Sequence, residues 1–253
     1  MSAVHAVSAP VAVVTGGANG LGRAVVERLH VDGHRVAVAD LDGDAARAVA
    51  GRLDPSGATA VGITADIAAP AAAEELLAAV LDAFGSVQVL VNNAALTRAT
   101  PLLEITADEL ADVVGVNVGG TFRACQVFGR HLAEAGYGRI VNMASLAGQN
   151  GGTATGGHYA ASKGAVLSLT KVFARDLAAR GVTVNAVSPG PQDGPVVRAI
   201  IGEDRLADYT ASVPVGRLGD PAFVARMVAL LADPAAASVT GACWDANGGL
   251  YLR

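Results

Sequence analysis

The feature that most constrains the fold is a regular alternation of short valine-rich apolar runs with longer alanine-rich segments. The apolar runs show little apolar–polar alternation, which is typical of strands buried on both faces of a parallel sheet. The predicted strands are Val11 to Thr15, Arg35 to Asp40, Ala58 to Ile63, Val87 to Asn93, Arg139 to Ser145, Val182 to Ser188 and a weaker one near Ala242 to Asp245.

Helical segments separate these strands, and strand–helix repetition with short links implies right-handed crossovers. The predicted helices are Leu21 to Val31, Asp44 to Leu53, Ala71 to Phe84, Ala107 to Ala135, Tyr159 to Ala179 and Pro221 to Leu231. No Pro/Ser-rich linker divides the chain. We therefore expect one α/β domain over residues 1–253, a doubly wound, mainly parallel Rossmann-type sheet with helices on both faces.

The alternation of predicted strands and helices is interrupted between about residues 190 and 214. The sequence PGPQDGP has turn chemistry, and the residues after it are suited to short helices with an apolar face. A long excursion after the carboxyl end of a strand, near the expected ligand crevice, is typical of a substrate lid. A solvent-facing connection is the alternative.

Composition and charge narrow the class of protein. No apolar run approaches the roughly 18 residues of a membrane span, and a net charge of −5 without a Lys/Arg cluster argues against a nucleic-acid surface. Cys125 and Cys243 lack metal-ligand spacing, and the five histidines are scattered. The N-terminus does not resemble a secretory signal. We expect a cytoplasmic protein with no metal site, membrane contact or nucleic-acid partner.

A glycine-rich loop follows the first predicted strand and precedes a helix. Its glycines include Gly16, Gly20 and Gly22, a spacing that differs from the usual GxGxxG fingerprint. Glycines let the backbone approach a pyrophosphate, and the helix offers its N-terminal amides to the anion. Glycines alone often mark only a turn, so the position of the loop is what indicates a nucleotide site.

The second predicted strand ends at Asp40. A carboxylate there can accept hydrogen bonds from ribose hydroxyls and would repel a 2′-phosphate, which favours NAD over NADP. Leu41 follows it, and no arginine is adjacent. The alternative is a solvated turn carboxylate beside Asp42 and Asp44.

Polar residues also end the third and fourth predicted strands. Asp66 is a candidate partner for the adenine amino group. Asn92, Asn93 and Ala94 end the fourth predicted strand, where an apolar run gives way abruptly to two amides. Such amides line a ligand crevice or tie neighbouring strands together, and we expect both.

The segment from Arg139 to Lys163 carries the candidate chemistry. Tyr159 and Lys163 are four residues apart on a predicted helix and therefore share one face. A nearby ammonium favours the phenolate and lowers the pKa of a phenol from its reference value of about 10. Ser145 can hydrogen-bond a substrate oxygen beside the phenol. The segment predicts a proton-transfer site that requires a hydride donor.

Taken in order, these motifs resemble those of the short-chain dehydrogenase/reductase family. The pattern comprises Thr15-Gly-x-x-x-Gly20-x-Gly22, Asn92-Asn93-Ala94, Asn117, Ser145, Tyr159-x-x-x-Lys163 and Ser188-Pro189-Gly190. The resemblance covers essentially the whole chain, up to Val239-Thr240-Gly241 and Asn247-Gly248-Gly249. Each motif alone is weak, whereas the ordered set is strong.

The resemblance implies a role for each matching residue. Tyr159 would be the general acid/base, Lys163 would lower its pKa and hold the nicotinamide ribose, Ser145 would position the substrate oxygen, and Asn117 would hold a water in a proton relay. Pro189 and Gly190 would lie beneath the nicotinamide. The implied cofactor-binding residues are Gly16, Asn19, Gly20, Leu21, Gly22, Asp40, Asp66, Ile67, Asn93, Ala94, Tyr159, Lys163, Pro189 and Gly190.

The chain departs from the family pattern at two positions. Ala95 replaces a glycine, which is a small change. Gly194 stands where many relatives have a threonine whose hydroxyl binds the nicotinamide carboxamide. Backbone groups or Asp193 are the available replacements for that hydroxyl in binding the carboxamide.

We therefore predict an NAD(H)-dependent oxidoreductase that interconverts a secondary alcohol and a ketone. Two alternatives stay open: an NADPH-dependent 3-oxoacyl thioester reductase, and a non-catalytic dinucleotide sensor or scaffold on the same fold. By resemblance, we expect a small-molecule substrate and a homotetramer, or a homodimer.

Overall fold

A computed structural model describes residues 9–152, 154–194, 197–198 and 201–252. Seven strands form one parallel sheet in the order β3-β2-β1-β4-β5-β6-β7. They are β1 (Val11–Thr15), β2 (Arg35–Asp40), β3 (Ala60–Thr64), β4 (Val89–Asn92), β5 (Gly138–Met143), β6 (Val182–Pro189) and β7 (Cys243–Ala246).

Helices cover both faces of this sheet. They are α1 (Gly20–Val31), α2 (Gly43–Leu53), α3 (Ala72–Phe84), α4 (Ala107–Val114), α5 (Thr121–Ala135), α6 (Ala147–Asn150), α7 (Gly157–Leu177), α8 (Glu203–Ser212) and α9 (Pro221–Ala232). Short 3₁₀ turns span Leu102–Glu104, Ala178–Arg180 and Pro234–Ser238. The predicted single-domain, doubly wound fold is confirmed.

Two apolar layers explain why the strands lack alternation. Ala12 and Val14 pack on one face with residues of α1, α2 and α9, while Val11 and Val13 pack on the other face with residues of α3, α5 and α7. Because both faces are covered, every residue of β1 is buried. A strand with two apolar environments has no position for a solvated side chain.

The structure corrects several predicted boundaries. The third strand begins at Ala60 rather than Ala58, and the fourth at Val89 rather than Val87. The fifth strand ends at Met143, so Ser145 lies in the loop beyond it. The long helix predicted from Ala107 to Ala135 is interrupted by a π-helical turn at Gly115–Gly120. Such turns are rare and frequently occur at functional sites.

The strand order reverses direction at β1, which lies between β2 and β4. In open α/β sheets the ligand crevice forms beyond the carboxyl ends of the strands at this point. Over the described ranges, no helix has the length and apolarity that a membrane crossing demands. The excursion after β6 includes the helix α8, in agreement with the prediction of short helices there. Residues 195–196 and 199–200 of this excursion lie outside the described part of the chain. The lid role itself stays a prediction.

Candidate active site

The glycine loop after β1 packs tightly against the end of β4. Gly16 has φ +62°, and a Cβ there would lie 2.8 Å from the Cα of Ala94. A Cβ on Gly22 would overlap the Gly16 carbonyl oxygen and the side chain of Asn93. These two glycines are therefore required for packing, which is a different reason from contact with a ligand. Gly20, at φ +52°, has open space where a side chain would be.

The start of α1 fits an anionic group. Asn19 is the N-cap residue and its side chain makes no capping hydrogen bond, so among the described residues the first-turn amides have no side-chain partner. The open space at Gly20 lies at the same helix end. A helix N-terminus with free amides attracts phosphate through both hydrogen bonding and the helix dipole. The loop can therefore hold the pyrophosphate of a dinucleotide, next to Leu21 and Gly22.

Asp40 lies beside this loop at the end of β2. One carboxylate oxygen accepts a hydrogen bond from the Ala18 amide at 3.0 Å, and the other accepts one from the Asp42 amide at 3.1 Å. The negative charge is therefore fixed at the edge of the predicted adenosine site. Asp40 is more than a solvated turn residue, since it also anchors the glycine loop. Its contact with a ribose stays a prediction.

Asn92, the last residue of β4, and Asn93, which follows it, tie the sheet together. Asn92 donates to the Asn142 side chain on β5 at 2.8 Å. Asn93 donates to the carbonyl oxygens of Thr15 and Gly16 at 3.1 and 2.9 Å. The structural half of the prediction for these residues is thus observed. Asn93 and Ala94 follow the carboxyl end of β4, and their ligand role remains a prediction.

Asp66 and Ile67 follow β3 and form part of a turn. The carboxylate of Asp66 is exposed and accepts from the Ala68 amide at 3.0 Å. The Ile67 carbonyl accepts from Arg123 at 3.0 Å, and its side chain reaches Gly120 of the π-helical turn. This packing joins the edge of the nucleotide site to the turn that carries Asn117.

Ser145 and Tyr159 line one cavity of about 170 Å³. Lys163 is buried one helical turn beyond Tyr159, its Nζ 5.8 Å from the centre of the phenol ring. Nζ donates a hydrogen bond to the Met143 carbonyl at 2.7 Å. Helical spacing places Lys163 beside Tyr159, and the loop after β5 brings Ser145 to the same cavity, as predicted.

The electrostatics of the phenol differ from the expectation. Burial raises the pKa of Tyr159, and interactions with the Ser145 and Thr97 hydroxyls oppose that rise. Desolvation lowers the pKa of Lys163 to about 8, so the ammonium is still the main form at pH 7. The expectation of a lowered Tyr159 pKa is wrong for this structure, because desolvation outweighs the hydrogen bonds with Ser145 and Thr97.

Asn117 is fully buried in the π-helical turn, and both the oxygen and the nitrogen of its side-chain amide are hydrogen-bonded. Its oxygen accepts from the Leu96 amide at 2.7 Å, and its nitrogen donates to the Leu96 carbonyl at 3.0 Å and to Ser162 at 2.9 Å. The side chain thus clamps the segment after β4 onto α7. The predicted water relay stays a prediction.

The turn after β6 lies against the end of β7. The Gly190 amide donates to the Ala246 carbonyl at 2.9 Å, and a Cβ on Gly190 would lie 2.8 Å from the Cα of Asn247. Pro189 and Gly190 both line the cavity with Tyr159. A Cβ on Gly194 would meet open space, and the Asp193 carboxylate is paired with Arg198 at 2.8 Å. This ion pair weakens the case for Asp193 as the carboxamide anchor.

Sequence reasoning missed cavity residues that come from distant segments. Thr97, from the segment after β4, and Tyr209, from α8, both line the cavity with Tyr159. No motif in the sequence marked Thr97, whereas Tyr209 lies in the excursion predicted as a lid. A larger cavity of about 430 Å³ lies between residues 213–219 and α9, and it includes none of the candidate catalytic residues. Chemistry therefore identifies the smaller cavity as the candidate active site.

Comparisons with known proteins identify the relatives of this chain. A family profile described as enoyl-(acyl carrier protein) reductase matches residues 16–251. The 3-oxoacyl-[acyl-carrier-protein] reductase of Vibrio cholerae is 38% identical over 96% of this chain and 97% of its own length. A sorbitol dehydrogenase of Cereibacter sphaeroides is 36% identical over 95% and 97%.

Two solved structures share the fold. A point variant of actinorhodin polyketide ketoreductase with NADPH has a TM-score of 0.89 and 37% identity, covering 96% of this chain and 97% of its own. A 3-ketoacyl-(acyl-carrier-protein) reductase from Brucella melitensis with NADH has a TM-score of 0.89 and 30% identity, covering 96% and 98%. The chain belongs to the short-chain dehydrogenase/reductase family. It is an oxidoreductase acting on CH–OH groups with a nicotinamide dinucleotide.

Proposed function

We propose that the protein interconverts a secondary alcohol and a ketone with NAD(H), and that Tyr159 is the general acid/base. The observation that carries this proposal is the convergence of Ser145 and Tyr159 on one cavity, with the Lys163 ammonium 5.8 Å from the phenol ring. The glycine loop and Asp40 lie at the same edge of the sheet.

The mechanism assigns a separate task to each side chain. The nicotinamide, when bound, supplies the hydride donor or acceptor. In oxidation, the Tyr159 oxygen takes the proton of the substrate hydroxyl, and the Ser145 hydroxyl holds the substrate oxygen. The Lys163 ammonium stabilises the Tyr159 phenolate, which accepts this proton in oxidation and forms when the phenol gives up its proton in reduction. Asn117 and water would complete the path of the proton to solvent.

Replacing Tyr159 with phenylalanine tests the acid/base role, because it removes only the hydroxyl. General acid–base catalysis contributes about 10²–10⁴-fold to a rate, so turnover should fall by at least about a hundredfold. The assay follows absorbance of the reduced cofactor over a panel of secondary alcohols and ketones. Tyr137→Phe is the matched control, since that ring is distant in sequence and packs under Arg139. Near-normal turnover by Tyr159→Phe would contradict the proposal.

The Asp40 carboxylate supports NAD(H) over NADP(H). Its charge is fixed at the glycine loop by two backbone amides, where a 2′-phosphate would meet like charge. We expect tighter binding of NADH than NADPH in a fluorescence titration, and an Asp40→Asn protein should lose part of this preference. Tighter NADPH binding by the unmodified protein would refute the assignment.

A second candidate function is NADPH-dependent reduction of a 3-oxoacyl thioester. The name of the Vibrio cholerae relative favours it, and the two solved structures hold NADPH and NADH respectively. Adding an acetoacetyl thioester to the substrate panel, with each cofactor, separates the two candidates. A non-catalytic sensor is disfavoured by membership of an oxidoreductase family together with the converging Ser145, Tyr159 and Lys163.

We also propose that the protein assembles as a homotetramer or homodimer. Leu110, Val114 and Phe122 are exposed on α4 and α5, and Val172 is exposed on α7. Exposed apolar groups on neighbouring helices favour self-association. Light scattering after size-exclusion chromatography measures the assembled mass, and a monomer would contradict this. The cytoplasmic location stays a prediction.

A further inference from the structure

The segment from Leu96 to Thr100 is held in place at three points. Asn117 binds both backbone groups of Leu96, at 2.7 and 3.0 Å. The carbonyl of Arg98 accepts from the Gly156 amide at 2.8 Å. The Thr100 hydroxyl donates to a Glu109 carboxylate oxygen at 2.6 Å. A loop residue between such fixed points has a defined position.

The third contact, between Thr100 and Glu109, is also connected to α7, the helix that carries Tyr159. His158 is the residue before Tyr159, and its side chain is 1% exposed. Its Nε2 lies 2.9 Å from the same Glu109 oxygen that binds Thr100. His158 is therefore a buried residue that packs against Glu109. Through Glu109, the segment after β4 and the start of α7 are tied to each other.

Thr97 lies between these fixed points and lines the cavity together with Ser145 and Tyr159. We propose that Thr97 is a further catalytic residue whose hydroxyl hydrogen-bonds the Tyr159 phenol oxygen and stabilises it as the phenolate. This inference rests on the proposed acid/base role of Tyr159. Glu109, Thr100 and His158 are then positioning groups, because they act through the placement of the two segments.

The balance of charges around the phenol explains why a second hydroxyl matters. Burial raises the pKa of Tyr159, and the Ser145 and Thr97 hydroxyls act against this rise. The Lys163 ammonium approaches from α7 but is also bound to the Met143 carbonyl. Tyr209 of α8 lines the same cavity. Glu109 and His158 pair with each other and are not among the residues that line it. A donor to the charged form of an acid lowers its pKa.

Thr97→Val tests the inference, because it removes the hydroxyl and keeps the shape of the side chain. Turnover is measured against pH with NAD and a 3-hydroxybutyryl thioester or the best alcohol of the panel. Ultraviolet titration of tyrosinate, with Tyr159→Phe subtracted, reports the same ionisation without a substrate. Thr97→Ser retains the hydroxyl. Thr155→Val is the matched control, because Thr155 lines the same cavity and its hydroxyl bonds to none of the described residues.

We expect Thr97→Val to move the rising limb of the plot of turnover against pH to higher pH, by as much as about one unit. A shift of that size corresponds to the free energy of one hydrogen bond. At a pH below the limb, this corresponds to a fall in turnover of about three- to tenfold. Thr97→Ser should restore the position of the limb. Thr155→Val should leave that position unchanged, whatever its effect on KM.

The inference would be overturned if Thr97→Val left both measurements unchanged, that is, the pH of the rising limb and the tyrosinate titration. If Thr97→Val does not fold, Thr97→Ala is compared with Thr97→Ser. A rising limb at the same pH in these two proteins would also overturn the inference. The two proposals fail separately. Normal turnover by Tyr159→Phe removes the proposed function, whereas an inactive Tyr159→Phe with an unmoved Thr97→Val limb removes only the role of Thr97.

Discussion

Replacing Lys163 with methionine should abolish turnover and at the same time stabilise the protein at neutral pH. Lys163 is 4% exposed, and desolvation lowers its pKa from 10.5 to about 8. That difference corresponds to about 3 kcal/mol of stability lost while the buried amine is charged. Loss of the hydrogen bond to the Met143 carbonyl costs about 1 kcal/mol in return. The net gain at pH 7 is then about 2 kcal/mol.

The sign of the pH dependence follows from the protons bound by each state. Between the folded pKa of about 8 and the unfolded value of 10.5, the unfolded chain keeps the Lys163 proton and the folded protein has lost it. Stability therefore rises with pH across this window, and the penalty is complete only below it. The advantage of Lys163→Met should shrink by about 2 kcal/mol between about pH 7 and about pH 9.5.

The measurement is urea unfolding followed by circular dichroism, at one protein concentration and a series of pH values. Lys171→Met is the matched control, because Lys171 is the other lysine of the chain and is exposed on the same helix. Cys125 and Tyr159, whose pKa values burial raises, titrate in both proteins, so the difference isolates Lys163. A stability difference that does not change with pH would refute the reasoning.

Two further substitutions test how the site is built. Gly22→Ala would push a Cβ into the Gly16 carbonyl, so we expect about 1–3 kcal/mol of destabilisation and weaker NADH binding by fluorescence. Gly51→Ala, which meets open space in α2, should instead gain up to about 1 kcal/mol, and equal effects of the two would contradict the packing role of Gly22. Asn117→Ala leaves both backbone groups of Leu96 without their partner, so urea unfolding should show a loss of about 1–3 kcal/mol. Turnover of that protein should fall sharply, and unchanged turnover would show that the clamp is dispensable.

The least predictable parts of the fold were the ends of elements. The fourth strand begins at Val89, and the side chain of the preceding Gln88 accepts a hydrogen bond from the Val11 amide at 2.8 Å. The π-helical turn at Gly115–Gly120 was invisible in a sequence that reads as one continuous helix. There, Asn117 and Gly120 pack on segments far away in the chain. Local patterns contain no information about such long-range contacts.

The sequence by itself determined the fold class and the chemical core of the site. Uniformly apolar strands require cover on both faces, and a four-residue spacing places Tyr159 and Lys163 on one helical face whatever the rest of the chain does. Only the tertiary structure decided how these groups behave. It buried the phenol, which raised its pKa, and it brought Thr97 to it from a distant segment. Spacing fixes which neighbours share a helix, whereas desolvation depends on everything that packs around them.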